Sequence, residues 1–547
     1  MALAACGPAI EPQIPLEGLQ GPAVEQATAR AVRASIAIRG IRPSMTELTT
    51  VGLDPGAVDP LIDAWLADDA RFGATVRRIH TNHWVLWSDY GKIPAAGTLA
   101  GVEAQAIRSS LFEAPVRIAE RVVVEDRPYT EILTADWLMA DEVLAAAWTG
   151  TDYPGDATGW REAHWVDGRP QAGILSDSML WVIYRSCGTN YSRGRAATLA
   201  NVLACYDFFV GDQPIESGVD LADPAAVSDA VLTDPACVAC HGVLDGIASA
   251  IPFMDDFVIQ RATFPEALYD PELTGDAWTT RTGRAPAWFG TPVSGLEELA
   301  EVIADDPRFV ACTARRTAAW FSQRTIDEVP DDEVDALASA FAASGTSYRA
   351  LVRSIVASEP FSTPPTDPDG RLLRLRPEEL SLVLEDLTGF RWVEDIRDDC
   401  CGAVTGSSPT GPIDFLTDGH DGYRILLGGT DAPFVSLPTY PTSPTAVLAI
   451  RSAAARAAAF AIDAAYDDGE TRLIDASVAG DGDEPAVRAA LVALHLRLFG
   501  ERVAADDAPI DATWALFADV LDRSADPRRA WTVLLAAMLQ DARLVTY

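Results

Sequence analysis

The run from Arg315-Arg316 through Trp320-Phe321, Pro330-Asp331 and Tyr348-Arg349-Ala350-Leu351-Val352 to Phe361 reads as a helix, a Pro-marked turn and one or two further amphipathic helices. The pattern recurs. Leu498-Phe499-Gly500, Pro509-Ile510 and Arg528-Arg529-Ala530-Trp531-Thr532-Val533 follow in the same order over 494–545, ending at Leu544. A fainter copy starts at Arg33, with Arg42-Pro43 and then Leu61-Ile62-Asp63-Ala64-Trp65-Leu66. Its Ala67-Asp68-Asp69-Ala70-Arg71-Phe72 is echoed by Ala304-Asp305-Asp306-Pro307-Arg308-Phe309. Repeats of helical units in both halves point to a mainly α chain, built either by duplication of a helical module or from Ala-rich amphipathic helices that resemble one another anyway.

Outward from these copies, helical patterns cover 24–40, 57–68, 70–90, 102–113, 129–147 and 192–209. The stretch 148–170 mixes Gly, Pro, Asp and Trp and reads as loop, and 262–293 has no periodicity. Residues 362–370, Pro- and Asp-rich, read as a linker. The expected organisation is a tether at 1–25, a helical domain at 26–128, a larger domain at 129–361, and a helical C-terminal domain at 371–547 that carries the repeat.

The larger domain holds the one strong chemical motif, Cys237-Val238-Ala239-Cys240-His241. Two thiols separated by a helical turn can add to the two vinyl groups of a haem, leaving the next residue's imidazole beneath the iron. A thioredoxin-like redox pair would need a βαβ context, and a zinc site would need a second Cys/His pair at ligand spacing. Neither is visible. The expectation is one covalent haem c on Cys237 and Cys240, with His241 as proximal ligand, in a segment spanning 233–260 closed by a helical module at 294–361.

The sixth position is open to several readings. Met254 could supply a thioether or be a core methionine. His80, His83, His164 and Met179 are further candidates, each of a type more often found as a core or surface residue. Arg193 and Arg195 could pair with haem propionates, or could lie at a helix start facing water.

Composition bounds the rest. Eighty acidic against 42 basic residues give a formal charge of −38, which repels nucleic acid and anionic membrane surfaces. No run of 18 apolar residues is present. Eight cysteines include the adjacent Cys400 and Cys401, and Cys187 with Cys205 is the pair expected to form a disulfide in an oxidising compartment. Leu3-Ala4-Ala5-Cys6 looks like a lipobox, with Cys6 as the lipid-bearing residue, although a basic region and a longer apolar core do not precede it. Covalent haem attachment takes place outside the cytoplasm, so an exported protein of the periplasm or cell surface is expected, held to a membrane only through such an anchor.

Residues 129–361 resemble the planctomycete-type c-type cytochrome families, which are built from chained domains of unknown function. The resemblance runs in order through Tyr129-Thr130, Ala135-Asp136-Trp137-Leu138, Ala172-Gly173-Ile174-Leu175-Ser176 and Arg193-Gly194-Arg195. It continues through Leu203-Ala204-Cys205, Asp234-Pro235-Ala236-Cys237 to His241 with Leu244-Asp245 and Asp255, and Tyr348-Arg349-Ala350-Leu351-Val352 with Ser358-Glu359-Pro360-Phe361. Leu375-Arg376-Pro377-Glu378-Glu379-Leu380 is the best such signal in the C-terminal part. Two departures stand out: Gly246 where these families have Pro, and Met254 where they have Phe. The resemblance implies a secreted or envelope haem protein and supplies no activity. The expected fold is a multi-helix, cytochrome-c-like haem region embedded in repeated helical modules with long irregular loops. Its expected role is electron transfer to or from a redox partner protein. The alternatives are a haem-dependent oxidoreductase acting on peroxide or a partner-delivered substrate, and a structural or interaction protein of the cell surface.

Overall fold

Each copy of the repeated pattern folds into the same succession of helices. In the computed structural model the leading helices are Pro22–Arg39, Pro307–Ser322 and Glu484–Phe499. They end at Gly40, Gln323 and Gly500, all in the left-handed region, which turns the final amides back onto carbonyls of the last turn. Glycine adopts that conformation without steric cost. Gln323 is held in it by its buried amide group, whose Nε2 donates to the Arg374 carbonyl at 2.6 Å while its Oε1 accepts from the Arg374 amide at 3.0 Å. Second helices follow at Met45–Leu53, Asp331–Ala343 and Ala508–Ser524, and third helices at Val58–Leu66, Tyr348–Ala357 and Pro527–Leu539. The description covers residues 21–547 apart from 87–92, 94, 185–191, 209–217, 221, 253–263, 266–268, 271–278, 280–281, 363–371, 396–411, 420 and 431–436.

The chain is mainly α, as its sequence pattern implies, and the strands described form three two-stranded antiparallel ribbons. One ribbon corrects the expectation of a helix over 129–147. Leu138–Ala140 pairs with Arg161–Ala163, between short helices at Glu131–Thr134 and Glu142–Ala147. All three residues of Leu138–Ala140 are buried, and a short apolar run buried on both faces carries no periodicity that tells strand from helix.

Two large apolar cores meet on the first helix. Its Ala27, Ala31, Ala34 and Ile38 face a core that continues through Trp65, Phe72, Trp181, Ile247, Trp288 and Phe321 to Leu373. Its Val32 and Ile36 face the other, which runs from Leu375 to Val545. Residues 27–123 therefore share one core with 129–373 and bury their apolar faces together with it. The helix Pro444–Asp468 is long and apolar enough to cross a bilayer by length and composition. In the fold it is a core helix, with Ala449, Ala453, Ala457 and Ile462 buried and packed against Pro527–Leu539. The chain end closes on the junction between the two cores, where Leu373 and Tyr547 exchange backbone hydrogen bonds of 3.1 and 2.7 Å.

Candidate functional site

Asp234 stands before Pro235, a position that Pro restricts to extended backbone, and this ends the helix Pro224–Thr233. The chain then turns by 82° into the helix Pro235–Ala250, which carries the motif. Asp234 caps this helix by accepting from the Ala236 amide at 2.9 Å, and Pro235 occupies the first turn, where no amide partner is needed. Cys237, Cys240 and His241 fall at i, i+3 and i+4 and so share one face. That face opens outward: Cys240 is exposed, while Cys237 and His241 are partly buried. From Leu244 onward the helix is buried.

His241 is held from within its own helix. Its Nδ1 lies 3.2 and 3.3 Å from the two carboxylate oxygens of Asp245, one turn further on. Asp245 is fully buried, and Arg193 grips it from the other side, Nε to Oδ1 at 2.6 Å and NH2 to Oδ2 at 3.0 Å. Burial alone would push the Asp245 carboxyl up. The hydrogen bonds from His241 and Arg193 outweigh it and hold its pKa below the ordinary value. With Nδ1 so engaged, Nε2 of His241 has no hydrogen-bond partner among the described residues.

Arg193 opens the helix Arg193–Ala204, a strut that packs on the motif helix. The strut ends at Cys205, in left-handed conformation, and Cys205 is disulfide-bonded to Cys312 of Pro307–Ser322. This corrects the expected pairing with Cys187: packing of the strut against Pro307–Ser322 brings Cys312 to 5.3 Å, Cα to Cα. Cys187 itself lies outside the described residues. Among those described, Cys237 and Cys240 are the cysteines that remain thiols. Gly246 is buried within the motif helix beside the ribbon Ala287–Pro292, where an added Cβ would meet the Ala287 Cβ at 3.4 Å, close to an ordinary contact.

The other candidates are placed elsewhere in the fold. Arg195 is buried and donates to the carbonyls of Tyr184 and Trp181 at 2.8 and 3.0 Å, closing the end of Ser178–Ile183. His80 is fully buried, with Nδ1 2.7 Å from the Val76 carbonyl and Nε2 2.8 Å from the Tyr129 hydroxyl, and burial pushes its pKa down to about 4. His83 packs edge-on against Trp320, its pKa also lowered by burial. His164 is exposed and bonds Asp152, and Met179 is a fully buried core residue. Met254, Cys6, Cys400 and Cys401 lie outside the described residues, as does nearly all of the 362–370 linker. Among the described residues no group of three His, Cys, Asp or Glu side chains is arranged to hold a metal ion. Sequence reasoning missed Asp245 as the partner of His241, although an acid four residues after a histidine on one helix face is a readable signal.

Comparison with known proteins gives one match. Residues 289–361 fit a family described as "Protein of unknown function (DUF1585)", a domain associated with cytochrome c-type proteins in general. The match begins just after the ribbon strand that packs on the motif helix and covers the module that carries Cys312; it does not extend to Cys237–His241. No curated protein and no solved structure matches this chain.

Proposed function

We propose that this chain is a mono-haem c-type cytochrome of the cell envelope, exchanging electrons with a redox partner protein. The observation that carries the reading is the set of groups on the motif helix. Two unpaired thiols sit one turn apart on an open face, beside an imidazole whose Nδ1 is already committed and whose Nε2 is available. Those groups fit a haem. The thiols of Cys237 and Cys240 would each add across a vinyl group, sulfur bonding to one carbon and the proton passing to the other. His241 would ligate through Nε2. Bound in this way, haem supplies a one-electron ferric/ferrous couple.

The surrounding residues contribute rigidity. Asp245 fixes the ring of His241, Arg193 fixes Asp245, and the disulfide fixes the far end of the strut. That disulfide joins residues far apart in the chain, which supports export to an oxidising compartment, periplasm or cell surface. A second reading, a haem-dependent oxidoreductase with an open sixth position, is favoured by the placement of His80, His164 and Met179, each engaged in the fold.

The test is expression with a cytochrome-maturation system, followed by denaturing electrophoresis and pyridine haemochrome analysis. One covalent haem per chain is expected, and it should be lost in Cys237→Ser/Cys240→Ser. A chain that matures without covalent haem ends the reading. Binding of carbon monoxide by the reduced protein would select the oxidoreductase form, and its absence the electron-transfer form.

A further inference from the structure

We propose that Asp245, backed by Arg193, sets the donor strength and orientation of His241, making this imidazole a stronger donor to iron than one bonded to a backbone carbonyl. The assignment rests on the haem reading above and deepens it, since it concerns this chain's own residues behind the ligand. Three features carry it. First, His241 and Asp245 are one helical turn apart on a capped helix that is buried from Leu244 onward, so the pair is fixed without any long-range fit. Second, the acceptor is a carboxylate with no exposed surface, so water does not compete for it. A buried charged acceptor draws the Nδ1 proton more strongly than a neutral one, and the ring passes that density to Nε2.

Third, Arg193 binds the carboxylate through two parallel hydrogen bonds from a helix that is itself tied down by Cys205–Cys312. The guanidinium has opposing effects: it orients the carboxylate and keeps it charged, and it withdraws part of the density that would reach His241. The distances show which partner Asp245 favours. At 2.6 Å the arginine contact is short, whereas the histidine contact is long and shared between two oxygens at 3.2 and 3.3 Å. The effect on His241 is therefore moderate, of the order of tenfold in a ligand-sensitive equilibrium. This is the lower end of the 10–100-fold that partners of metal ligands typically contribute.

The experiment uses the full chain matured with haem, reduced stepwise with dithionite, which supplies the electron. Asp245→Asn should keep its covalent haem, because the thiols make that link. At the potential where the unaltered protein is half reduced, the variant should be about tenfold in favour of the ferrous form, a rise of about 59 mV for one electron. The iron–histidine stretching band of its reduced form should move to lower frequency. Arg193→Lys keeps the charge but loses the fork, frees part of the density that the guanidinium withdraws, and should shift both readouts by less and in the opposite direction. A haem-loaded Asp245→Asn protein with unchanged potential and unchanged band overturns the assignment. So does loss of covalent haem from both variants while the unaltered chain loads normally, since Asp245 would then serve folding or maturation. Absence of haem from the unaltered chain is a different failure, and it removes the cytochrome reading itself together with this assignment.

Discussion

The module at 307–361 and its copy at 484–545 are built alike, yet only the first is tied to the motif helix. Both open with a long helix ending in a left-handed cap, and both continue through two more helices. Eleven residues before its cap the first module has Cys312, whereas the second has Ala489 at the same distance from Gly500. Cys312 bonds the strut, and four residues on, Arg316 donates to the carbonyl and side-chain oxygen of Asn201 in the same strut at 2.8 and 2.7 Å. The corresponding position in the copy is Ala493. The copy faces its own core instead, with Trp531 fully buried and bonded to the Ala479 carbonyl. The first module thus gains a specific attachment through a few polar and sulfur-bearing side chains on one helix face, while keeping the same succession of helices as the second.

The largest expected effect comes from making the first module resemble the second at that face. Cys205→Ser/Cys312→Ser opens a link with a sequence separation of 107 residues, and chain-entropy reasoning for a loop near 100 residues gives about 4.7 kcal/mol. Hydrogen exchange should rise in 193–204 and 307–322 and stay unchanged in 484–499. Equal acceleration in both modules would show that they unfold as one unit and that the link is not a local tie.

The two modules are legible in the sequence but the attachment that separates them is not, and the reasons differ by feature. The repeats could be read because several of their helices begin with Asp-Pro or Ser caps, at Ser44, Asp306, Ser347 and Asp526, and carry amphipathic faces, which are local signals. The Cys237–His241 helix could be read for the same reason, its spacing being set within two turns. Cys312 could not be identified as the partner of Cys205, because that contact depends on how two helices pack across the core. Arg193 was noticed as a cation of interest, but its partner Asp245 lies 52 residues away. The strand Leu138–Ala140 was missed because burial on both sides erases the alternation that marks a strand.

Acid should act next, and on the first module. His80 packs at a tilt against Tyr348 of its third helix, with ring centroids 5.4 Å apart, and its pKa is pushed down to about 4 by burial, against 6.5 ordinarily. An unfolded chain therefore takes up a proton here that the folded chain refuses. This contribution to stability is complete above pH 6.5 and is lost progressively as the pH falls from 6.5 to about 4, a range worth about 3 kcal/mol. His80→Gln should flatten the stability–pH curve over that interval. A variant curve parallel to that of the unaltered protein would remove His80 from the account.

The smallest effect is the most discriminating between the copies. Ser347 caps Tyr348–Ala357 by accepting from the Ala350 amide at 3.2 Å, and Asp526 caps Pro527–Leu539 by accepting from the Arg529 amide at 3.3 Å. By sequence the two caps look interchangeable, since Ser and Asp are near-equal at this position. Their surroundings differ. The Ser347 hydroxyl also donates to Asp126 Oδ1 at 2.6 Å, across to the end of the helix Ala104–Val124. Asp526→Ser should therefore cost only a few tenths of a kcal/mol, part of it the lost attraction of a carboxylate for the helix N-terminus. Ser347→Asp exchanges a donor for a second carboxylate beside Asp126 and should cost about 1–2 kcal/mol, from the lost hydrogen bond and the new repulsion. Chemical denaturation of the two single variants checks the asymmetry. Equal costs would mean that the Ser347–Asp126 contact contributes nothing, and that the first module is joined to the N-terminal helices by apolar packing and by the contacts of Arg349 with Asp69 and of Arg353 with Asp59 and Asp63.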